Sequence, residues 1–293
     1  MRTKQRIGVL GGSGLYSMAG LDAHDEIALE TPYGAPSDRY ALGEVDGTPV
    51  AFLARHGRGH RFPPSEVPYR ANLYGFRLLG VSNLLSVSAV GSLKDDIEPC
   101  DLVVPDQFID RTTRRVATFS EPGAVIHAAM ADPVCSRLSA LLAESARAQG
   151  ATVHAGGTYL CIEGPQFSTR AESELYRNWG ADVIGMTNAT EAKLAREAGI
   201  AYATLAMACD YDCWHPTHES VTAEMAIANL MASVDVAQSV LRHAIASLPA
   251  DTPASCGDAS RALISPPDAV PPEARRRLAA LIPSLAEASK ESE

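Results

Sequence analysis

Short apolar runs alternate with amphipathic segments along most of the chain. The apolar runs predict strands at residues 7–10, 49–54, 83–89, 101–105, 158–162, 182–187 and 201–209. Apolar residues spaced three or four apart predict helices at residues 63–80, 133–149, 171–179, 190–198 and 222–248. The strands are nearly continuous in apolar residues, which is typical of a sheet buried on both faces. The pattern therefore predicts a three-layer α/β/α fold with a largely buried central sheet.

The sequence changes character after residue 248. Residues 249–283 hold seven of the 19 prolines and contain no clear strand pattern. Residues 275–288 are predicted to form a short helix. We therefore predict one domain over residues 1–248 and a proline-rich C-terminal extension over residues 249–293, which is either partly disordered or carries that short helix.

The charge balance excludes some classes of function. The chain has 25 Lys and Arg against 35 Asp and Glu, a formal net charge of −10. This balance argues against a general nucleic-acid binder, because phosphate backbones require a basic surface. No apolar run approaches the roughly 18 residues of a membrane helix, and the apolar stretch near the first residues is too short for the core of a signal peptide. We expect a cytoplasmic protein with no nucleic-acid or membrane partner.

The cysteine pattern points to neither a metal site nor a disulfide framework. The six cysteines are Cys100, Cys135, Cys161, Cys209, Cys213 and Cys256. No pair has CxxC spacing, and the closest pair lacks the second pair or the histidines that would complete a zinc site. We expect reduced thiols and no bound metal.

Polar side chains and glycines lie where the predicted strands end, which is where open α/β sheets bind ligands. Those strand ends carry Ser13, Arg55, His56, Ser88, Ala89, Met186, Thr187, Asp210, Tyr211 and Asp212. Hydroxyls, a guanidinium, an imidazole and glycine-flanked backbone N–H groups together suit a tetrahedral anion. The sequence therefore predicts a phosphate-type site at this edge of the sheet.

The glycine turn at residues 11–14 does not identify that site by itself. It is not a Walker loop, because no Gly-Lys-Ser/Thr follows, and it lacks the third glycine of the dinucleotide fingerprint, which would fall at Ser17. Glu30 lies at a tolerable distance for a ribose-binding acid. A nicotinamide-dependent oxidoreductase and a non-catalytic nucleoside-binding module therefore stay open as alternatives.

Asp210 and Asp212 follow a long apolar strand and lie two residues apart, so both face the same side of an extended segment. Mutual repulsion raises one pKa of such a pair, which leaves a proton to donate near neutral pH. A carboxyl pair recognises N–H donors, which favours a 6-aminopurine over a 6-oxopurine. Phe167 and Met186 offer apolar faces for a base and a sugar. A solvated strand end with Asp as a turn former is the structural alternative.

Six segments together carry a resemblance to a known family. They are residues 11–15 (GGSGL), 31–37 (TPYGAPS), 53–57 (LARHG), 106–112 (DQFIDRT), 163–167 (EGPQF) and 206–214 (AMACDYDCW). From about residue 7 to residue 248 the chain resembles the 5′-methylthioadenosine phosphorylases, which belong to the trimeric branch of the purine nucleoside phosphorylase family. The resemblance implies that family's fold, with a mixed central sheet, and a homotrimer.

The resemblance also implies an activity. The expected enzyme is a pentosyltransferase that converts 5′-methylthioadenosine to adenine and 5-methylthioribose 1-phosphate in methionine and purine salvage. Inorganic phosphate is the co-substrate, and no metal or organic cofactor is implied. Family members that act on inosine, guanosine or methylthioinosine resemble this chain closely but tend to carry Asn at the position of Asp210. A purine nucleoside phosphorylase acting on those substrates or on adenosine is the alternative.

The family's site residues map onto matching positions of this chain. The phosphate ligands implied are Ser13 (where the family usually has Thr), Arg55, His56, Ser88, Ala89 through its backbone, and Thr187. The nucleoside-binding residues implied are Phe167, Met186, Asp210, Tyr211, Asp212 and, from a neighbouring subunit, His127. The catalytic residues implied are His56, Asp210 and Asp212, and the specificity positions are Ser168 and Ala223. A bulkier aliphatic residue is common at the position of Ala223, so a wider 5′ pocket is expected here.

Overall fold

The computed structural model describes residues 6–18, 20–216, 222–248 and 262–287, and the side chains of residues 223 and 225 are outside the description. The strands are β1 Arg6–Gly11, β2 Asp22–Ile27, β3 Tyr40–Val45, β4 Thr48–Ala54, β5 Val81–Ser92, β6 Leu102–Val104, β7 Gln107–Asp110, β8 Val153–Ala155, β9 Thr158–Cys161, β10 Val183–Gly185 and β11 Ala201–Asp210. The helices are α1 Tyr69–Leu78, α2 Ser136–Ala148, α3 Arg170–Asn178, α4 Asn188–Glu197, α5 Ala223–Ser247, α6 Pro272–Leu278 and α7 Pro283–Glu287.

The strands form one mixed sheet in which β5 is the central member. The main path runs β2-β3-β4-β1-β5-β10-β9-β7, while β11 pairs with β5 and β6, and β6 pairs with β8. Strands β1 and β11 both run parallel to β5, and β10 pairs antiparallel with its last residues. Because β1, β4, β5 and β11 are parallel, their carboxyl ends meet at one edge of the sheet.

Alternate residues of the inner strands enter two separate layers of the core. On β5, Leu85 and Val87 pack in the cluster formed with α2 and α5, whereas Leu84 packs in the cluster formed with α1 and α4. Successive side chains of a strand point to opposite faces, so a sheet with this pattern is covered on both sides. The predicted three-layer α/β/α fold with a mixed, largely buried sheet is confirmed.

A one-residue irregularity ends the pairing of β11 with β5. Ala208 is opposite Val90, whereas Asp210 is opposite the next residue, Gly91, so Cys209 is the extra residue of a β-bulge. Gly91 is also opposite Ile184 of β10. A Cβ at Gly91 would lie 2.8 Å from Asp210 Oδ1, so glycine is required for the two neighbouring strands to approach this closely.

The sequence pattern missed four strands and misplaced one helix start. Strands β2, β3, β7 and β8 were not predicted. Strand β2 is exposed over nearly its whole length and has the sequence DAHDEI, which contains no apolar run. The helix predicted at residues 63–80 begins at Tyr69, because Pro68 is its N-cap residue and residues 64–66, which include Pro64, form turns.

The described part of the C-terminal segment packs against the rest of the chain. The single helix predicted at residues 275–288 is two short helices, α6 and α7. Leu278 of α6, Leu285 of α7, Ile282 between the two helices and Val270 before them are buried in the same core cluster as α1 and α4. Residues 249–261 and 288–293 lie outside the described part, and the division at residue 248 stays a prediction.

One expectation about the cysteines is wrong. Cys135 is disulfide-bonded, whereas Cys100, Cys161, Cys209 and Cys213 carry free thiols. The absence of CxxC spacing therefore did not exclude a disulfide, because bonded cysteines can be distant in sequence. In the part of the chain that the structure describes, none of the helices has the length and apolar character needed to cross a membrane.

Candidate active site

A cavity of about 270 Å³ opens where the parallel strands end. Eleven of the residues singled out from the sequence line it: Ser13, Arg55, His56, Ser88, Ala89, Phe167, Ser168, Met186, Thr187, Asp210 and Asp212. These residues come from segments far apart in the chain. They are brought together because β1, β4, β5, β10 and β11 are neighbours in the sheet.

Three further residues singled out from the sequence do not line this cavity in the described structure. Tyr211 points away and packs against the rings of Trp214 and His215. His127 is exposed, and its backbone N–H donates to the carbonyl of Ala262 at 2.8 Å. The side chain of Ala223 lies outside the described residues, although α5 begins there.

Arg55 is fully buried and its charge is neutralised within the protein. Its Nε and Nη2 donate to the two carboxylate oxygens of Glu191, which is itself completely buried. Its Nη1 donates to the carbonyl of Val87 at 2.9 Å, and Nη2 also donates to Ser86 Oγ at 2.6 Å. The guanidinium fork is therefore occupied by Glu191, and one N–H of Nη1 is left for a ligand.

Glu191 is the centre of a buried polar network that the sequence did not reveal. Its Oε2 accepts from Tyr202 Oη at 2.8 Å and from Ser86 Oγ at 3.0 Å, and Asn188 Nδ2 lies 3.2 Å away. Burial acts to raise the pKa of Glu191, but the Arg55 guanidinium outweighs it and holds that pKa below its usual value. Glu191 sits one turn into an amphipathic helix, where a glutamate usually faces solvent, so no sequence signal marked it.

His56 is held in one tautomer. Its Nδ1 lies 2.8 Å from the carbonyl of Phe62, which can only accept, so Nδ1 carries the proton. The ring stacks on that of His60 at 4.3 Å between centroids, with 8° between planes. Burial, together with the charge of Arg55, lowers the pKa of His56 to about 4, so the ring is neutral at pH 7.

Hydroxyl groups and a helix N-terminus complete this end of the cavity. Ser88 Oγ is buried and has no hydrogen-bond partner among the described residues. Thr187 is the N-cap residue of α4, but its hydroxyl makes no capping hydrogen bond. A Cβ on Gly12 would lie 2.6 Å from Arg55 Nη1, so glycine lets the first turn approach the guanidinium. Neutral donors and the helix dipole suit this end of the cavity, the anion-binding end, to a small anion.

The other end of the cavity carries two carboxyl groups. The backbone N–H of Asp212 donates to Asp210 Oδ1 at 2.8 Å, and Asp212 has φ of 51°, which places it in a tight turn. Asp212 Oδ2 is buried with no hydrogen-bond partner in the described structure. Burial raises the pKa of Asp210 to about 7, and the charge of Asp212 adds to the rise. Burial also raises the pKa of Asp212.

Burial therefore raises the pKa of Asp210 more than repulsion by Asp212 does. Near neutral pH this group is partly protonated, and it can donate a hydrogen bond as well as accept one. Such a pair suits a ligand that offers both an N–H and a basic ring nitrogen.

Apolar side chains cover the space between the two ends. Phe167 is 45% exposed and lies on the rim, and Ile162, Ile184 and Met186 line the wall. A Cβ on Gly164 would lie 2.5 Å from Met186 Sδ, so the segment before Phe167 packs directly on the methionine. A flat aromatic ring and a sugar suit such a surface.

A second buried arginine, which the sequence reading missed, fixes this wall. Arg115 Nη1 donates to the carbonyl of Met186, and its Nη2 donates to the carbonyl of Glu163 at 2.7 Å. Its Nε donates to Glu163 Oε1 at 3.0 Å. Glu163 Oε2 also accepts from the backbone N–H groups of Thr113 and Arg114, at 2.6 and 3.0 Å. Arg115 therefore ties the segment carrying Phe167 to the strand end carrying Met186.

The arrangement can bind a small anion at one end, an aromatic base with N–H groups at the other, and a sugar between them. No group of three or more His, Cys, Asp or Glu side chains able to hold a metal ion occurs among the residues that the structure describes.

The chain is similar to known phosphorylases in sequence and in fold. The family model described as the phosphorylase superfamily matches residues 6–246. The S-methyl-5'-thioadenosine phosphorylase of Chloroflexus aurantiacus is 55% identical over 275 residues, which cover 93% of this chain and 96% of that relative. A crystal structure of a methylthioadenosine phosphorylase from an antarctic soil metagenomic library matches with a TM-score of 0.89 and 51% identity, covering 96% of this chain and 99% of that one. The methylthioadenosine phosphorylase from Schistosoma mansoni in complex with adenine matches with a TM-score of 0.80 and 38% identity, covering 83% of this chain and 91% of that one.

Proposed function

The chain belongs to the phosphorylase superfamily, and from that membership we propose that it catalyses the phosphorolysis of 5′-methylthioadenosine. The products are adenine and 5-methylthioribose 1-phosphate, and the role is in methionine and purine salvage. Inorganic phosphate is the co-substrate, and the reaction uses no metal or organic cofactor. The observation that carries the proposal is the pairing, in one cavity, of an anion-binding end with a buried carboxyl pair at residues 210 and 212.

At the anion-binding end, phosphate is held by hydroxyls, backbone N–H groups and the remaining N–H of Arg55. The ligands are Ser13, Arg55, His56, Ser88, Ala89 through its backbone, and Thr187. Phosphate attacks C1′ of the sugar while the bond to adenine breaks, through a state with positive charge on the sugar. Holding the anion next to that charge lowers the barrier through proximity and electrostatic stabilisation.

At the base end, the two carboxyl groups have different tasks. Asp210, whose pKa of about 7 leaves it partly protonated at neutral pH, donates a proton to N7 of adenine and improves the leaving group. Asp212 accepts from the exocyclic amine. Phe167 packs beside the base and Met186 lies under the ribose. The Tyr211 ring packs against Trp214, so base recognition in this proposal is left to Asp210 and Asp212.

The active unit is proposed to be a homotrimer in the cytoplasm. In this proposal His127 reaches the 5′ end of a substrate held by a neighbouring subunit, and its exposed side chain is compatible with that role. Ser168 and Ala223 tune the base and 5′ pockets. Mixing an Asp210→Asn chain with a His127→Ala chain tests whether His127 acts in the site of a neighbouring subunit. Each variant alone should be nearly inactive, and mixed trimers should recover activity. Light scattering on the wild type gives the subunit number.

A phosphorylase for 6-oxopurine nucleosides is the second candidate. Asp212 Oδ2 is a buried acceptor with no hydrogen-bond partner among the described residues, and such an atom favours the amino group of adenine over the carbonyl of hypoxanthine.

Phosphorolysis rates for methylthioadenosine, adenosine, inosine and methylthioinosine, each with and without phosphate, test the assignment. Methylthioadenosine should give the highest kcat/KM, and no base should be released without phosphate. A higher kcat/KM for inosine or methylthioinosine would transfer the assignment to the second candidate. Nicotinamide-dependent absorbance changes would instead support an oxidoreductase.

A further inference from the structure

The imidazole of His56 presents a hydrogen-bond acceptor to the anion-binding end. Its Nδ1 donates to the carbonyl of Phe62 at 2.8 Å, so Nε2 is the ring nitrogen left for a ligand in the cavity that the ring lines. In a neutral imidazole whose Nδ1 carries the proton, Nε2 has a lone pair and no hydrogen.

The surroundings of the ring keep it neutral. The His56 side chain is buried, and it follows directly on the permanently charged Arg55. One face is covered by the parallel ring of His60, whose Nδ1 lies 2.9 Å from Tyr16 Oη. A second proton on His56 would place a new cation beside the Arg55 guanidinium, and no carboxylate of the described residues forms an ion pair with His56. Burial and the Arg55 charge accordingly depress the pKa of His56.

The same end of the cavity offers little net positive charge. Arg55 is the only fixed cation lining the cavity in the described structure, and both its fork nitrogens are bound to Glu191. The other polar lining groups at this end are hydroxyls, which donate or accept, backbone N–H groups, which donate, and the ring of His60, whose Nδ1 contacts Tyr16 Oη. His56 Nε2 differs from them because, in this tautomer, it can only accept.

We propose that this site selects oxyanions that carry a hydrogen, because the fixed acceptor His56 Nε2 requires a donor on the bound ligand. Hydrogen phosphate and hydrogen arsenate satisfy that acceptor through their P–OH or As–OH group. Sulfate and monofluorophosphate have similar size and shape but no hydrogen at neutral pH, so a lone pair on their oxygen meets the lone pair of Nε2. The inference rests on the proposed function for the identity of the anion, and it adds that the bound anion must carry a hydrogen.

Calorimetric titration of the full-length chain with the four anions tests the inference directly. At about pH 8 phosphate is mainly the dianion HPO₄²⁻, so all four ligands carry nearly the same charge and differ mainly in the hydrogen. Phosphate and arsenate should bind at least about tenfold more tightly than sulfate and monofluorophosphate, since an unsatisfied buried acceptor has a cost of that order. Equal affinities for the four anions would overturn the inference.

Two variants separate His56 from the other ligands. His56→Gln replaces the fixed acceptor by an amide that can present either its oxygen or its N–H, so the preference for phosphate over sulfate should fall several-fold. Ser88→Ala removes a hydroxyl that can donate or accept, so it should weaken all four anions and leave the ratio unchanged. A ratio that persists in His56→Gln, or disappears in Ser88→Ala, would contradict the assignment to Nε2.

A spectroscopic measurement covers the case in which His56→Gln does not fold. Long-range ¹H–¹⁵N spectra of the wild type report which ring nitrogen is protonated, and we expect a proton on Nδ1 alone, with and without phosphate. A protonated Nε2 in the phosphate complex would overturn the inference. A chain that shows the anion preference but cleaves no nucleoside would keep the inference and overturn the proposed function.

Discussion

Arg55 and Glu191 form an ion pair from which water is excluded on both sides: the side chains are 1% and 0% exposed. The carboxylate comes from the first turn of α4, and the guanidinium follows β4, so the pair joins a helix to the end of a strand across the anion-binding end. Removing one partner of a buried pair leaves an uncompensated charge.

Glu191→Ala should therefore destabilise the fold by about 3–5 kcal/mol. The matched control is Glu174→Ala, an exposed glutamate on α3, which should change the free energy of unfolding by less than about 0.5 kcal/mol. Urea titration monitored by circular dichroism measures both. Equal stability of the two variants would show that the pair contributes nothing to folding.

Asp210→Asn should lower kcat/KM for methylthioadenosine by roughly 10²–10⁴-fold, because an amide cannot transfer a proton to the leaving base. In the wild type, kcat/KM should fall as pH rises above about 7, where Asp210 loses its proton. The variant should lack that limb of the pH profile. A wild-type profile that stays flat between about pH 6 and pH 9 would argue against Asp210 as the acid.

The same residue makes stability depend on pH. The pKa of Asp210 is raised from 3.8 in the unfolded chain to about 7 in the fold, so its favourable contribution is complete below about pH 4 and is lost as pH rises through 7. The rise corresponds to as much as about 4 kcal/mol. Asp210→Asn should consequently be more stable than the wild type at pH 8, and the difference should shrink toward pH 4. Thermal unfolding of both proteins across this range tests the sign.

Gly12→Ala should weaken phosphate binding. The new Cβ would lie 2.5 Å from the carbonyl oxygen of Val87 and 2.6 Å from Arg55 Nη1, the nitrogen that keeps one N–H for a ligand. We expect the phosphate KM to rise by about tenfold or more, as a misplaced ligand group costs at least this much. Ser13→Thr, which keeps the neighbouring hydroxyl, is the control and should change the phosphate KM far less. Initial rates at saturating nucleoside give both constants.

Leu278→Ala tests whether the described C-terminal segment is part of the core. Leu278 is fully buried against the cluster formed with α1 and α4, so its truncation should cost about 2–5 kcal/mol. Ile264→Ala is the control, because Ile264 is 62% exposed in the same segment. If both variants unfold at the same urea concentration as the wild type, the segment contributes little to stability.

Much of the site could be predicted from the sequence because most of the predicted phosphate and base ligands sit at or near the end of an apolar strand. Ser13, Arg55, Ser88 and Thr187 are separated by up to 174 residues, but the parallel strands β1, β4 and β5 place the first three together, and β10, antiparallel to the last residues of β5, brings Thr187 to them. The pattern of apolar residues also predicted the three layers of the fold, because buried strands are apolar and the covering helices are amphipathic. It failed for β2, whose residues face solvent and carry no apolar signal.

The groups that hold the ligands in place were not predictable in the same way. Glu191 and Arg115 lie in segments whose local pattern is that of an exposed helix or a charged loop, and only the tertiary structure buries them. Tyr211 shows the opposite error, because it was predicted to bind the nucleoside but does not line the cavity. It lies between the two carboxyl groups in sequence, but β11 ends at Asp210 and a tight turn follows at Asp212, and the Tyr211 ring packs against Trp214 and His215.

The bulge at Cys209 sets a limit on how this site can vary. Asp210 faces the cavity because one residue of β11 has no counterpart on β5. Deleting Asp210 would remove one carboxyl group, and deleting Tyr211 would shift Asp212 by one position and turn its side chain away from that of Asp210. This stretch should therefore accept changes of side chain far more readily than changes of length, so substitution can redirect the base preference, whereas an insertion or deletion would abolish recognition of the base altogether.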